Sequence, residues 1–140
     1  MATTTASISL SSDVTDNALS ISNESKLWTA GTTTGLNTMT SVTKVLESTN
    51  NVDLIATGTV STTHAYVYIN NPDTDNTRYF HIHIGNNVGS GTYDDGTLPT
   101  EEIGKLYGGD WMFFPWDVDD DICITPSDSE KMTVEYQVFS

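Results

Sequence analysis

The sequence predicts an all-β protein: one antiparallel β-sandwich or jelly roll over residues 26–140, preceded by a Ser/Thr-rich N-terminal arm or edge strands over residues 1–25. Short runs of alternating apolar and polar residues recur along the chain, separated by turn-forming residues at roughly 8–12-residue intervals. No segment repeats apolar residues at the helical period. The 140 residues are enough to bury the core of a single domain of this kind.

The N-terminal half gives the weaker strand signals. Apolar residues alternate with Ser within residues 8–10 and 19–21, which indicates edge strands or a partly ordered arm. The Gly- and Thr-rich segment 30–35 predicts a flexible loop. Residues 42–46 and 54–60 are short β-prone runs and are predicted as strands.

Strand signals are clearer in the C-terminal half. Residues 65–69 alternate aliphatic side chains with tyrosine, and residues 79–84 alternate again after the Asn/Asp-rich stretch 70–76. This arrangement predicts a β-hairpin with a long acidic turn. Residues 122–125 and 132–139 predict the last two strands.

An aromatic run, WMFFPW at residues 111–116, follows a Gly-Gly pair and precedes an acidic stretch. Side chains alternate between the two faces of a strand, so the run divides into Trp111, Phe113 and Pro115 on one face and Met112, Phe114 and Trp116 on the other. One face can fill the core. The other needs a cover, such as a second sheet, a loop or another protein, because soluble monomers rarely expose large apolar patches.

This run therefore predicts an assembly protein before an enzyme. Interfaces are enriched in aromatic anchors, which makes Trp28, Trp111, Phe113 and Trp116 the candidate interface residues. A position in the core is the alternative for each of them.

Charge and cysteine content exclude several classes of protein. Nineteen acidic residues against five Lys and Arg give a net charge of −14, and the basic residues are dispersed, so nucleic acid is not an expected partner. No segment is apolar for long enough to cross a bilayer, and the N-terminus lacks a secretory signal pattern, so we expect no membrane role and no export. The single cysteine, Cys123, cannot form an internal disulfide and is expected to be a packed core residue.

Two groups of residues are weak candidates for metal binding. His81 and His83 share one face of a strand, as in jelly-roll metalloenzymes, but the rest of a cupin-type ligand set is missing, so a polar outer or intersubunit face is expected. Asp117 and Asp119 alternate like ligands of a hard cation, as do the acidic residues of 71–75, yet neither stretch continues as a calcium loop. We therefore expect no cofactor, with solvated turns at both acidic stretches.

No nucleophile-elbow pattern, phosphate-binding glycine loop or compact Cys-His pair is present in the sequence. Convergent carboxylates from distant parts of the chain cannot be judged from sequence. The expectation is a protein without enzymatic activity.

Four segments carry a resemblance to a known family. They are residues 103–116 (IGKLYGGDWMFFPW), 121–127 (DICITPS), 132–139 (MTVEYQVF) and 65–72 (AYVYINNP). They resemble small virion structural proteins of marine tailed bacteriophages, and the likeness covers the second half of the chain well and the first half only in style.

The resemblance implies a non-enzymatic β-sandwich on the outside of a phage particle, assembled in the host cytoplasm. The most direct role is a capsid decoration or cement protein that binds the outer surface of the major capsid protein lattice and stabilises the head. A homo-oligomer is expected, because a closed cyclic assembly would cover the second aromatic face, and a trimer is favoured.

Two alternatives stay open at this point. One is a tail, neck or fibre component with an adaptor or host-glycan role, using the loop at residues 86–95. The other is a cupin-like metalloenzyme that uses His81 and His83.

Overall fold

The computed structural model describes residues 4–12, 19–29, 32, 34–36, 38–61, 64–85 and 101–140. These residues form an all-β structure, and no helix occurs among them. The strands are β1 (Thr4–Ser12), β2 (Leu19–Leu27), β3 (Met39–Leu46), β4 (Val52–Ile55), β5 (Ala65–Asn70), β6 (Tyr79–Ile84), β7 (Glu101–Tyr107), β8 (Trp111–Trp116), β9 (Ile122–Pro126) and β10 (Met132–Phe139). Every strand pair is antiparallel, so the predicted fold class is confirmed.

The chain divides into two compact units, Met1–Thr38 and Met39–Ser140. In the first unit, β1 and β2 pair in register from Thr4↔Leu27 to Ser12↔Leu19. β1 and most of β2 fall within residues 1–25, for which the sequence predicted an arm or edge strands.

The second unit consists of two four-stranded sheets, with strand orders β3-β10-β5-β8 and β4-β9-β6-β7. Among these strands only β6 and β7 are both consecutive in the chain and paired with each other. The prediction of a hairpin from residues 65–69 and 79–84 is therefore wrong, because β5 and β6 lie in different sheets and the Asn/Asp-rich loop connects the two sheets.

The core of the second unit lies between its two sheets. Alternate side chains of each strand enter it, because successive residues of a strand face opposite sides. The most enclosed members include Val67, Ile69, Phe80, Ile82, Trp116, Ile122, Ile124, Met132 and Val134. Both inner strands of each sheet contribute to this core, which explains why their apolar alternation is the strongest in the sequence.

β8 follows the predicted alternation. Met112, Phe114 and Trp116 pack on the core side, and the other three residues of the aromatic run face outward. β8 is an edge strand, a position where proline is tolerated because no partner strand requires its backbone N–H, and Pro115 is placed accordingly.

β7 is not among the strands predicted from the sequence. Residues 101–107 form a strand of their own that pairs with β6, and the register shifts between Ile82 and His83. The shift leaves Ile103 exposed and removes the simple alternation by which the strand could be recognised.

No helix in the described ranges is long and apolar enough to span a membrane.

Candidate functional site

The candidate site is an aromatic face on the outer side of the sheet β3-β10-β5-β8. It consists of Tyr66, Tyr68, Trp111, Phe113 and Phe139, contributed by β5, β8 and β10. Val67 and Ile69 of β5 enter the core, so the tyrosines that alternate with them point outward. Strand register then places Tyr68 opposite Phe113 on β8.

The rings of the aromatic face contact one another across the strands. Tyr66 and Phe113 are stacked, with ring centroids 5.8 Å apart and planes inclined by 8°. Tyr68 lies 6.0 Å from Trp111, and Phe113 meets Phe139 edge-on at 6.4 Å. Contacts of this kind are each worth about 0.5–1.5 kcal/mol beyond burial, so they favour the observed positions of the rings.

The aromatic face stays accessible despite these contacts. Trp111 is 53% exposed and the adjacent outer-face residue Met39 is 63% exposed. Polar side chains border the rings: Asn70 of β5 donates a hydrogen bond to the Glu135 carboxylate of β10 (3.1 Å), and the Gln137 amide of β10 donates to the Ser41 hydroxyl of β3 (3.3 Å). An apolar centre with a polar margin is the usual composition of a protein-binding surface.

The four predicted interface residues have different positions. Trp111 and Phe113 lie on the aromatic face. Trp116 is only 1% exposed, and its indole N–H donates to the Asp120 carbonyl at 2.8 Å, so it belongs to the core and we remove it from the interface set. Trp28 lies in the other unit, where it is exposed and forms an isolated bridge with Gly35.

Sequence reasoning missed Tyr66, Tyr68 and Phe139. Each of them alternates with buried residues along its strand, so each lies on the side of the strand that faces away from the core. The missing information was strand order, because only the pairing of β5 with both β8 and β10 brings these rings next to Trp111 and Phe113. Tyrosine repeated on the outward side of a central strand is the signal that could have identified them.

A second group of residues, the polar cluster, lies on the outer side of the other sheet. Its members are Asp53, His81, His83, Glu102 and Cys123. The rings of His81 and His83 are 6.1 Å apart, and His81 Nδ1 lies 3.1 Å from a Glu102 carboxylate oxygen. The shared strand face predicted for the two histidines is therefore present, but both side chains are buried and not on an open surface.

Two members of the polar cluster, His83 and Cys123, are held in their uncharged forms. Burial lowers the pKa of His83, which favours neutral imidazole. Burial and a 3.4 Å contact with the Asp53 carboxylate raise the pKa of the Cys123 thiol to about 12, so the thiolate needed for nucleophilic attack is disfavoured. Cys123 is buried as predicted, although it points away from the core that Ile122 and Ile124 enter.

In the described part of the chain, no three His, Cys, Asp or Glu side chains converge as a possible metal site. Asp117 accepts the Asp119 backbone N–H through its side chain (3.2 Å), which is ordinary turn chemistry.

The loop between β5 and β6 contains similar turns. Backbone N–H groups at 73, 75 and 77 donate to the side chains two residues earlier, at Asn71, Asp73 and Asp75. Arg78 pairs with Asp73 at 3.1 Å, so a positive charge from the chain itself already neutralises this carboxylate. The acidic turn is therefore held by protein groups.

The loop at residues 86–95, predicted as a possible glycan-binding segment, lies outside the described residues. Comparison with known proteins gives no assignment: the chain matches no family model, no curated protein and no solved structure.

Proposed function

We propose that this chain is a phage virion structural protein that binds the outer surface of a major capsid protein lattice through its aromatic face and stabilises the head as a decoration or cement protein. The observation that carries the proposal is a set of five aromatic side chains in mutual contact on the outside of a sheet, of which Trp111 is exposed and the other four are half-buried. Exposed apolar patches of this kind mark interaction sites.

The chemistry of the aromatic face favours a protein as its ligand. Tryptophan and tyrosine are the residues that most often dominate binding energy at protein interfaces. The rings are held by their neighbours, so little side-chain freedom is lost on binding. Glu135 is a charged residue beside the rings, and its carboxylate accepts a hydrogen bond from the Asn70 amide, while the five aromatic side chains themselves carry no charge.

The acidic character of the rest of the chain suits the same role. A net charge of −14 keeps the free protein soluble until it binds, and it disfavours adsorption of DNA to a coated shell. Attachment through the uncharged aromatic face lets many acidic copies decorate one lattice while their charged surfaces remain in solvent.

Strand order is compatible with the jelly-roll version of the fold, which we assign to the second unit. Consecutive strands from β3 to β10 alternate between the two sheets except at the β6–β7 pair. Two four-stranded sheets connected in this manner form a double Greek key, an architecture common in viral capsid and lectin domains. Because one architecture serves several functions, this assignment supports the proposal without deciding it.

A glycan-binding role on a tail, neck or fibre is the second candidate. The amide and carboxylate groups of Asn70, Glu135 and Gln137 lie beside the aromatic rings, and sugars are bound by such combinations of ring faces and hydrogen-bonding groups. A glycan-binding protein should bind sugars as an isolated domain, whereas a decoration protein should bind assembled heads.

The test is sedimentation of the purified protein with phage heads that lack it, followed by thermal denaturation of decorated and bare shells. We expect co-sedimentation at a fixed ratio to the major capsid protein and a higher melting temperature of the decorated shell. Glycan binding without head binding would replace the proposal by the second candidate. Absence of both would reject each of them.

A further inference from the structure

Strand β8 forms an open edge of the sheet β3-β10-β5-β8. Of the described strands, only β5 pairs with it. Next to the start of the strand, the Asn71 backbone N–H donates to the Asp110 carbonyl at 3.0 Å. Hydrogen-bonded and non-hydrogen-bonded pairs alternate along an antiparallel ladder, so the next pair, which contains Trp111, is non-hydrogen-bonded. The backbone N–H and C=O groups of Trp111 therefore point away from β5.

The same orientation recurs at every second residue of β8. Phe113 and Pro115 follow Trp111 in an uninterrupted register with β5. Pro115 agrees with this assignment, because proline has no N–H to give to a partner strand and is tolerated where that position faces outward. Trp111 and Phe113 thus present their rings on the aromatic face and their backbone groups at the open edge, where no described strand bonds to them.

The other three edge strands of the second unit have features that discourage pairing with another chain. β3 contains Lys44, which donates to the Asp53 carbonyl at 3.0 Å, and β4 is four residues long with a register shift. β7 contains Glu101, Glu102 and Lys105 as well as a register shift. By contrast, β8 has six residues, no charged side chain and an unbroken register. An edge of that kind is a ready template for an added strand.

The core side of β8 is also incompletely covered. Ala65, Val67 and Ile69 of β5 are 0% exposed, whereas Met112 and Phe114 of β8 are half-buried. A strand added beside β8 would remove more of these two side chains from water, which favours its binding.

We propose that an extended segment of a partner protein binds along the β8 edge as an added strand, with every second side chain on the aromatic face. Such a strand gives the outward backbone groups of β8 their hydrogen-bond partners, which only an extended backbone can do along the whole row. The segment is the part of the partner that contacts the aromatic face, so this binding mode rests on the proposed use of that face and specifies it.

The charges at the two ends of β8 indicate the composition of the segment. Asp110 and Asp117 flank the strand, both are exposed, and neither forms an ion pair within the described residues. A second copy of β8 would bring like-charged aspartates together in either strand direction, which opposes self-pairing. A segment with apolar residues in its middle and lysine or arginine at its ends is complementary to this edge. The occupant is therefore a basic-ended extended segment of another protein.

The first test is amide hydrogen exchange of the free full-length chain, followed by NMR. We expect the Met112 and Phe114 amides, which face β5, to be protected, and the Trp111 and Phe113 amides to exchange at least about 10-fold faster. Protection of Trp111 and Phe113 in the free protein would mean that another part of the chain or a second copy already occupies the edge, and it would overturn the proposal.

The second test uses a synthetic peptide of alternating valine and threonine with two lysines at each end. It should bind the full-length chain, measured by fluorescence anisotropy, and should slow the exchange of the Phe113 amide. The same peptide with its central residues N-methylated cannot donate backbone hydrogen bonds and should bind at least about 10-fold more weakly. Glutamates in place of the lysines should weaken binding by about 10-fold at low salt. Equal binding of the N-methylated peptide, or no binding of the parent peptide, would overturn the proposal.

Phe113→Pro and Phe113→Ala form a matched pair of variants. Both remove the ring, but only proline removes the outward N–H, at an edge that already contains Pro115. Phe113→Pro should bind the lysine-ended peptide about 5-fold more weakly than Phe113→Ala does, and equal affinities would contradict binding along the edge. Phage heads that bind the chain while no peptide does would overturn this binding mode and leave the capsid proposal standing. Peptide binding without head binding would reject the capsid as the partner and support the binding mode.

Discussion

Replacing Trp111 with alanine should weaken both folding and partner binding, and the loss of binding should be specific to this side chain. The side chain is about half exposed and contacts Tyr68, so the substitution removes roughly half of the burial energy of a large apolar side chain together with one ring contact. We estimate a loss of about 1.5 kcal/mol in the free energy of unfolding. On binding, the exposed half is buried as well, and loss of a central aromatic anchor costs about 2 kcal/mol, or about 30-fold in the dissociation constant.

Ile103 provides the matched control. It is a large apolar residue on an edge strand of the other sheet and is exposed to a similar extent. Ile103→Ala should reduce the free energy of unfolding by about 1 kcal/mol and leave binding unchanged. Urea denaturation measures the folding term, and titration of heads with each variant in a sedimentation assay measures the binding term. If Trp111→Ala and Ile103→Ala bind heads as tightly as wild type, or weaken binding equally, the aromatic face is not the docking surface.

Three further results are expected. Trp116→Phe removes the indole hydrogen bond to the Asp120 carbonyl inside the core and should lower the free energy of unfolding by about 1–3 kcal/mol, measured by urea denaturation. A change below about 0.5 kcal/mol, roughly the scatter of surface substitutions, would refute the core assignment. Cys123 should not react with a thiol reagent at pH 8 until the protein unfolds, and rapid labelling of the native protein would contradict its burial. Because the folded pKa of the thiol is raised from 9.0 to about 12, the stability that it contributes is complete below pH 9 and is lost as the pH rises towards 12. Gly108→Ala places a Cβ against the Asp75 carbonyl oxygen, a backbone atom, so thermal unfolding should occur several degrees lower, and an unchanged midpoint would disprove the close approach.

Apolar alternation predicted the fold class and most strands. Residues 79–84 and 132–139 are strands with the predicted bounds, and 65–69 and 122–125 are each one residue short of the observed strands. These are inner strands, buried on the core side by strictly alternating residues, so the period of two is undisturbed.

Strand pairing could not be predicted in the same manner. Alternation specifies which side chains face the core, but β5 and β6 would show the same pattern in one sheet or in two. The turn-rich loop between them was therefore interpreted as a hairpin, although Asn and Asp side chains stabilise loops between sheets equally well. The irregularity in β7, where Ile103 faces solvent beside a register shift, removed the remaining signal.

Only part of the candidate site could be predicted from the sequence, because alternation assigns side chains to faces of a strand but does not give the order of the strands. Alternation along the aromatic run placed Trp111 and Phe113 on one face of the strand and Trp116 on the other, but it could not tell which face fills the core. Trp116 is the one that is buried there. Tyr66 and Tyr68 join the site through strand order, a property of the whole sheet that no local pattern encodes.

Hydroxyl-radical footprinting of the protein, free and bound to phage heads, tests the central claim most directly because it reports the solvent access of individual side chains. Oxidation of Trp111 and Tyr68 should fall sharply on binding, while oxidation of Tyr107, which is exposed on the other sheet, should not change. Protection of Tyr107 with unchanged oxidation of Trp111 would contradict the assignment of the aromatic face as the surface that binds the capsid.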